Sequence, residues 1–206
     1  MELVTTKSSL PEERLLIREL THRINNEFSS VVNMLSLAAA RAASVEAKSA
    51  LTAVSDRLEG YIRVHRALQV PELGQFIDAS AYLRELCRSM SWSKLDQRNI
   101  DLVFVERPLS LDSERSWLLG MIVYELINNA ARHAFDEAGG EIRVELGQVG
   151  GFVECHVSDN GTAPFFARRG RGLKIIEDLA GRLDGKFDQR FDAQGSAATV
   201  IFPARR

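Results

Sequence analysis

The chain has 206 residues, of which 26% are charged and 45% hydrophobic, with a formal net charge of −2. That length accommodates one large or two small domains, and the near-balanced charge carries no electrostatic footprint for a nucleic acid. Cys87 and Cys155 lack metal-ligand spacing and read as reduced core thiols. The start, Met1-Glu-Leu-Val-Thr-Thr-Lys-Ser8, has no apolar signal core, and the longest apolar run, Trp117–Tyr124, is too short to span a bilayer, so a soluble cytoplasmic protein with no membrane segment is expected.

Ser9-Leu-Pro-Glu12 reads as a capping box with Pro11 in the first helical turn, where its missing N–H does no harm. Ile17, Ile24, Phe28, Val31, Leu35 and Ala38, with Thr21 filling the gap, then form a seam of about three heptads. A turn is expected near Arg41–Val45. Leu51, Val54, Leu58, Tyr61, His65 and Leu68 restart the seam, and Pro71 and Gly74 end it. One helical hairpin cannot enclose a core. Pairing with a second copy into a dimeric four-helix bundle is the economical solution; the competing arrangement packs the hairpin against the C-terminal half. His22 lies off the seam and points to solvent, with Asn26 at i+4 and Glu19 at i−3 on the same face. An exposed neutral imidazole is a competent nucleophile toward phosphorus, although taken alone it reads better as a solvated surface histidine. His65, on the seam, reads as a hydrogen-bonded core histidine.

Residues 71–77 read as a linker between an N-terminal domain, 1–70, and a C-terminal one, 78–206. Asp78–Met90 is an amphipathic helix with Tyr82, Leu83, Leu86, Cys87 and Met90 on one side, and Ile100–Val105 is strand-like. Residues 117–127 form an almost wholly apolar helix that then turns polar on one face. Glu125, Asn129, Arg132 and His133 fall at i, i+4, i+7 and i+8 and share that face. On an otherwise buried helix such groups cost roughly 2 kcal/mol or more each without partners, which points to a bound charged ligand. Glu141–Leu146 and Phe152–Asp159 alternate as strands do. Asp159 continues the buried row of Val153, Cys155 and Val157. It reads either as an acceptor for an amino group on a ligand base or as a turn cap before Asn160-Gly161. Gly170 and Gly172 precede a helix, Leu173–Leu183, where backbone N–H groups can approach phosphate, with Arg168, Arg169 and Arg171 nearby. Lys186–Phe191 and Ala197–Phe202 are strands around the Gly195-Ser196 turn. The layout is an α+β fold: a helical hairpin, then an α/β sandwich whose mixed sheet carries helices on one face.

Taken together, His22-Arg-Ile-Asn-Asn26, Glu125-Leu-Ile-Asn-Asn129-Ala-Ala-Arg-His133, Asp159-Asn-Gly161, Gly170-Arg-Gly172 and Gly195-Ser-x-x-Thr-x-x-Phe-Pro203 resemble a bacterial two-component histidine kinase core. The resemblance runs from about residue 12 to Pro203 and is nearest to the His-Arg-x-x-Asn class related to the HWE kinases. It implies a dimerisation and phosphoacceptor hairpin followed by a Bergerat-type ATP-binding domain, with ATP and Mg²⁺ as cofactors. His22 would be the phosphorylated histidine, with Asn26 beside it in the same box. Asn129 would coordinate a Mg²⁺ bridging the ATP phosphates, with Glu125 as base or water-orienting group and Arg132 and His133 near the phosphates. Asp159 would accept from the adenine amino group, Gly161 would allow close approach to the base, Gly170 and Gly172 would flank the phosphates, and Ser196 stands where the family carries Thr. The implied partners are a second copy of the chain and a response-regulator receiver domain that takes the phosphoryl group from His22.

The chain departs from the family at several points. Ala163 replaces the second glycine of Asp-x-Gly-x-Gly, and the lid carrying Phe165-Phe166 is short. Asn25 stands in place of a lysine, and Arg23 follows His22, leaving Glu19 as the candidate base. No sensory domain is expected ahead of the hairpin, so input would come from another chain or from none. Two other functions stay open: a histidine phosphotransferase that relays phosphate between receivers without ATP, and a non-enzymatic scaffold.

Overall fold

The structure, a computed structural model, describes residues 10–69, 74–162, 171–192 and 194–205, with the backbone alone for 10–18 and 171. The chain divides into two compact units, Met1–Ile62 and Arg63–Arg206.

The first unit consists of α1 (Leu10–Arg41) and most of α2 (Val45–Ala67), with the turn between them at the expected place. Ser44 caps α2, its hydroxyl accepting from the Ala47 N–H at 3.1 Å. The least exposed positions of α1 are Thr21, Asn25, Phe28, Val32, Leu35 and Ala39, alternating by four and three residues; on α2 they include Leu51, Ser55, Leu58 and Ile62. The expected bundle seam is only partly covered within one chain. Phe28, Leu35, Leu51 and Leu58 are half-buried, whereas Ile24, Val31, Val54 and Tyr61 are 38–53% exposed. Each helix carries two adjacent apolar stripes, and one hairpin can cover only one of them.

The second unit begins inside α2, ahead of the boundary expected at residue 70. Val64 is buried in its core, and the guanidinium of Arg63 stacks on the Trp92 ring at 3.7 Å. The last carbonyls of α2 and its exit turn, which lack helical partners, are capped by side chains. The Tyr82 hydroxyl donates to the Ala67 carbonyl and the Trp117 indole N–H to the Leu68 carbonyl, each at 2.9 Å. His65 is half-buried, and its Nδ1 has no hydrogen-bond partner among the described residues, contrary to the sequence expectation.

From there the chain runs β1 (Phe76–Asp78), α3 (Ala79–Met90), a π turn and a 3₁₀ turn (Ser91–Leu95, Asp96–Arg98), β2 (Ile100–Glu106) and β3 (Ser110–Asp112). It continues through α4 (Ser113–His133), β4 (Gly140–Val149), β5 (Phe152–Asp159), α5 (Arg171–Arg182), β6 (Lys186–Asp192) and β7 (Gly195–Pro203). Residues 76–78, at the end of the span expected as a linker, pair antiparallel with β3. The main sheet is mixed, in the order β2-β4-β5-β7-β6; β2 and β4 are parallel and the other neighbours antiparallel. The alternation of β4, β5 and β7 sends Ile142, Val144, Val153, Cys155, Val200 and Phe202 into the core. There they join Leu83 and Leu86 of α3, Leu119 and Ile122 of α4 and Ile176 of α5 in one cluster. Arg115 is buried near the start of α4 and donates to the Pro203 and Leu183 carbonyls, tying α4 to the ends of β7 and α5. No helix among the described residues is long and apolar enough to cross a membrane.

Candidate functional site

Helix α4 supplies the floor of the site. Asp112 caps it, its carboxylate accepting from the Arg115 N–H at 2.9 Å. Leu119, Ile122, Leu126 and Ile127 bury one side. On the other side Glu125 and Asn129 are half-buried, and Arg132 and His133 are exposed. The stripe therefore grades from sheltered to open toward the helix C-terminus. Arg98 closes that terminus by donating to the Ala131 and Phe135 carbonyls, a cation placed at the negative end of the helix dipole.

The first turn of α5 lies over this stripe. A Cβ placed on Gly172 would stand 3.4 Å from both polar atoms of the Asn129 carboxamide and from a Glu125 carboxylate oxygen. A glycine here brings the unpaired N–H groups of a helix start beside a carboxamide and a carboxylate, an arrangement suited to phosphate and its counter-ion.

Asp159 ends β5 and is 9% exposed. Its Oδ1 accepts from the Gly161 N–H at 3.1 Å and the Ser196 N–H at 3.3 Å, and its Oδ2 accepts the Ser196 hydroxyl at 2.5 Å. The cross-strand pairing of Asp159 with Ser196 puts the two groups together. The bond to Gly161 is the turn cap, and a carboxylate with about four acceptor sites has three of them used, leaving capacity for one more donor. Gly161 is required by close approach, since a Cβ there would fall 2.1 Å from the Ala134 carbonyl oxygen. That same carbonyl accepts from the Thr162 N–H at 2.9 Å, and Asn160 Oδ1 accepts from the Glu141 N–H at 2.7 Å. The segment 159–162 is thereby clamped to the end of α4 at Ala134 and to the start of β4 at Glu141.

Several positioning residues carry no local sequence signal. Arg98 is one; Lys94 is another, its ammonium 3.0 Å from Asn128 Oδ1 and 5.0 Å from the centre of the Tyr124 ring. Their partners are thirty or more residues away, beyond any helical or strand period. Burial pushes the Cys87 and Cys155 thiols up to about 12, so both are protonated core residues rather than nucleophiles. Gly170, Arg168, Arg169, Ala163 and Phe165-Phe166 lie outside the described residues, as does the side chain of Arg171.

On the hairpin, His22 is exposed, and its Nδ1 lies 3.2 Å from the Asn26 carboxamide nitrogen, one helical turn on. Glu19 does not reach the imidazole in this arrangement; its carboxylate accepts from Arg23 Nε at 3.1 Å.

Residues 19–94 match the family described as Histidine kinase, and residues 98–201 that described as Histidine kinase-like ATPase domain. The sensor histidine kinase PdtaS of Mycobacterium tuberculosis is 29% identical over 202 residues, covering 90% of this chain and 38% of that protein. PdtaS of Mycolicibacterium smegmatis is 28% identical over 197 residues with the same coverage. The chain thus spans 38% of the length of these relatives. The solved histidine kinase domain of the Erythrobacter litoralis EL346 blue-light activated histidine kinase has the same fold, with a TM-score of 0.60 at 16% identity, covering 85% of this chain and 96% of that domain.

Proposed function

The chain belongs to the two-component histidine kinases, and from that premise we propose that it moves the γ-phosphoryl group of ATP to His22 and on to an aspartate of a response-regulator receiver. The observation that carries the reading is the Asp159 carboxylate. It is buried at a strand end, bonded to Ser196 and Gly161, and keeps acceptor capacity beside the stripe of Glu125 and Asn129. An adenine amino group is a donor of the kind it lacks, and the glycine at 161 keeps the wall beside it free of a side chain.

The residues present also fit a magnesium ion carried in with the nucleotide. The carboxamide of Asn129 and the carboxylate of Glu125 offer hard oxygen ligands of the type Mg²⁺ takes. An ion of this kind would take its remaining ligands from phosphate oxygens and water. When bound, Mg·ATP supplies the phosphoryl group and neutralises its charge. Asp159 and Ser196 then fix the base, and the start of α5 at Gly172 presents N–H donors to the phosphates.

His22 is the acceptor. The Asn26 amide nitrogen lies against His22 Nδ1; turning that amide would let its oxygen accept the Nδ1 proton and leave the lone pair on Nε2. Nε2 then bonds to phosphorus as the bond to the ADP oxygen breaks. The exposed apolar stripe of Ile24, Val31, Val54 and Tyr61 is the surface a second copy would cover in a four-helix bundle.

Incubation with γ-labelled ATP and Mg²⁺ tests the reading. Acid-labile, base-stable label on the wild type that is lost in His22→Ala is the expected outcome. Label gained only from a phosphorylated receiver would replace it with the relay.

A further inference from the structure

The turn Arg98-Asn99, just ahead of β2, holds the segment that follows Asp159 from two directions. In one, the Arg98 guanidinium donates to the Ala131 and Phe135 carbonyls, at the end of α4 where helical donors run out. Ala134 lies between these two anchored residues. Its carbonyl accepts from the Thr162 N–H at 2.9 Å, and Gly161 packs so closely on it that an added Cβ would stand 2.1 Å from the carbonyl oxygen. In the other, the Asn99 carbonyl accepts from the Gly140 N–H at 3.0 Å. Asn99 has a left-handed backbone, φ 54°, a conformation that asparagine adopts more readily than most residues. The residue after Gly140 is bonded twice to Asn160: the Glu141 N–H donates to Asn160 Oδ1 at 2.7 Å, and its carbonyl accepts from the Asn160 N–H at 3.2 Å. The two anchorages also meet, since a Cβ on Gly140 would stand 2.4 Å from the Phe135 ring and 2.6 Å from Asn160 Oδ1.

Arg98 is exposed. Removing its donors lets water reach the freed carbonyls, so the fold loses little. Water cannot, however, fix where the end of α4 stands against the end of β5. The remaining acceptor site of Asp159 requires its donor within hydrogen-bond reach, and a displacement of about 1 Å is enough to lose that bond. We infer that Arg98 is a positioning residue for recognition of the base: through Ala134 it fixes residues 160–162, and with them the line along which Asp159 meets an amino group. It acts on nucleotide choice without contributing a ligand contact of its own.

The role in base recognition rests on the proposed function, whereas the positioning of 160–162 does not, and the test separates the two. Arg98→Met keeps the aliphatic stem and removes the donors. In the nucleotide-free full chain, exchange of the Thr162 amide proton is expected to speed up about tenfold in Arg98→Met, with the Val157 and Val200 amides unchanged. Binding of ATP is then compared with binding of purine riboside triphosphate, which lacks the amino group. Wild type is expected to prefer ATP about tenfold or more, and Arg98→Met to retain a preference of about twofold, the loss falling on ATP. Arg98→Lys, which returns a donor to one carbonyl, recovers part of the preference. Arg84→Met removes an exposed arginine paired with Glu106 at the far end of β2 and leaves both readouts at wild-type values. Unchanged exchange at Thr162 in Arg98→Met overturns the positioning role. Faster exchange with an unchanged preference for ATP overturns the role in base recognition, as does an equal loss of preference in Arg84→Met. A wild type that binds neither triphosphate overturns the proposed function, and with it the role in base recognition, while the exchange rates still decide the positioning.

Discussion

The Ser196 hydroxyl donates to Asp159 Oδ2 at 2.5 Å, joining the last residue of β5 to the second residue of β7. The pair is set by antiparallel register and not by proximity in sequence, and it aims the carboxylate along the sheet end. Asp159→Asn replaces acceptor capacity with donors that face the Ser196 and Gly161 N–H groups. Nucleotide affinity is expected to fall roughly 10- to 100-fold, about 1.4–2.8 kcal/mol, in calorimetric titration with ATP. Ser196→Ala leaves the backbone bonds to Asp159 intact and is expected to cost about fivefold or less. Equal losses for both variants would mean that Asp159 acts through Ser196 and not on the base.

Two glycines at the site serve different ends. A Cβ on Gly161 would collide with the Ala134 carbonyl, whereas one on Gly172 would only touch Asn129 and Glu125 at 3.4 Å. Gly161→Ala is expected to lower unfolding stability by about 1–3 kcal/mol, as overpacking does. Gly172→Ala is expected to leave stability within about 0.5 kcal/mol while weakening ATP binding several-fold. Urea unfolding and nucleotide titration on the same two proteins check the contrast.

The end of α2 is held within the second unit through Tyr82. Its hydroxyl reaches the Ala67 carbonyl only by passing Gly120, where a Cβ would stand 2.4 Å from that oxygen. Tyr82→Phe leaves the carbonyl without its donor, and a loss of about 1–2 kcal/mol is expected. Gly120→Ala is expected to cost about 1–3 kcal/mol and, in combination with Tyr82→Phe, less than the sum, because both act on one contact. Additive losses in urea unfolding would refute that coupling.

Burial raises both thiols to about 12, against about 8.5 in an unfolded chain. Between those values the unfolded state binds fewer protons than the native state, so stability falls as pH rises, and below that window the thiols add no slope. Each contributes up to about 1.4 kcal/mol per pH unit. Urea unfolding of wild type and Cys155→Val between about pH 8.5 and 10.5 should show a shallower decline in the variant. Identical slopes would contradict the assignment.

Much of this arrangement is legible in the sequence, for reasons that differ by element. Phe152–Asp159 forms a strand over its expected residues because one face is wholly buried and its alternation is unbroken. The polar stripe on α4 is visible because it interrupts a long apolar helix. The strands β1 and β3 are three residues each, too short for any period to register. Arg115 is invisible for another reason: its carbonyl partner on Pro203 is 88 residues away, and only the tertiary fold makes a buried cation at that position tolerable. The hairpin seam is legible as a bundle pattern, but heptad spacing alone does not say which apolar positions face the other helix of the hairpin: Phe28 and Leu35 are half-buried there, whereas Ile24 and Val31 are exposed.

In the proposed function Asn129 and His22 serve one reaction. The direct measurement is label from γ-labelled ATP with Mg²⁺ on wild type, His22→Ala and Asn129→Ala, read beside ATP binding for the same three proteins. Label at His22 in the wild type only is expected. His22→Ala should bind ATP as tightly as wild type, and Asn129→Ala should lose label along with productive nucleotide binding. Label that persists in His22→Ala, or a wild type that binds ATP yet transfers nothing to His22, would contradict that function.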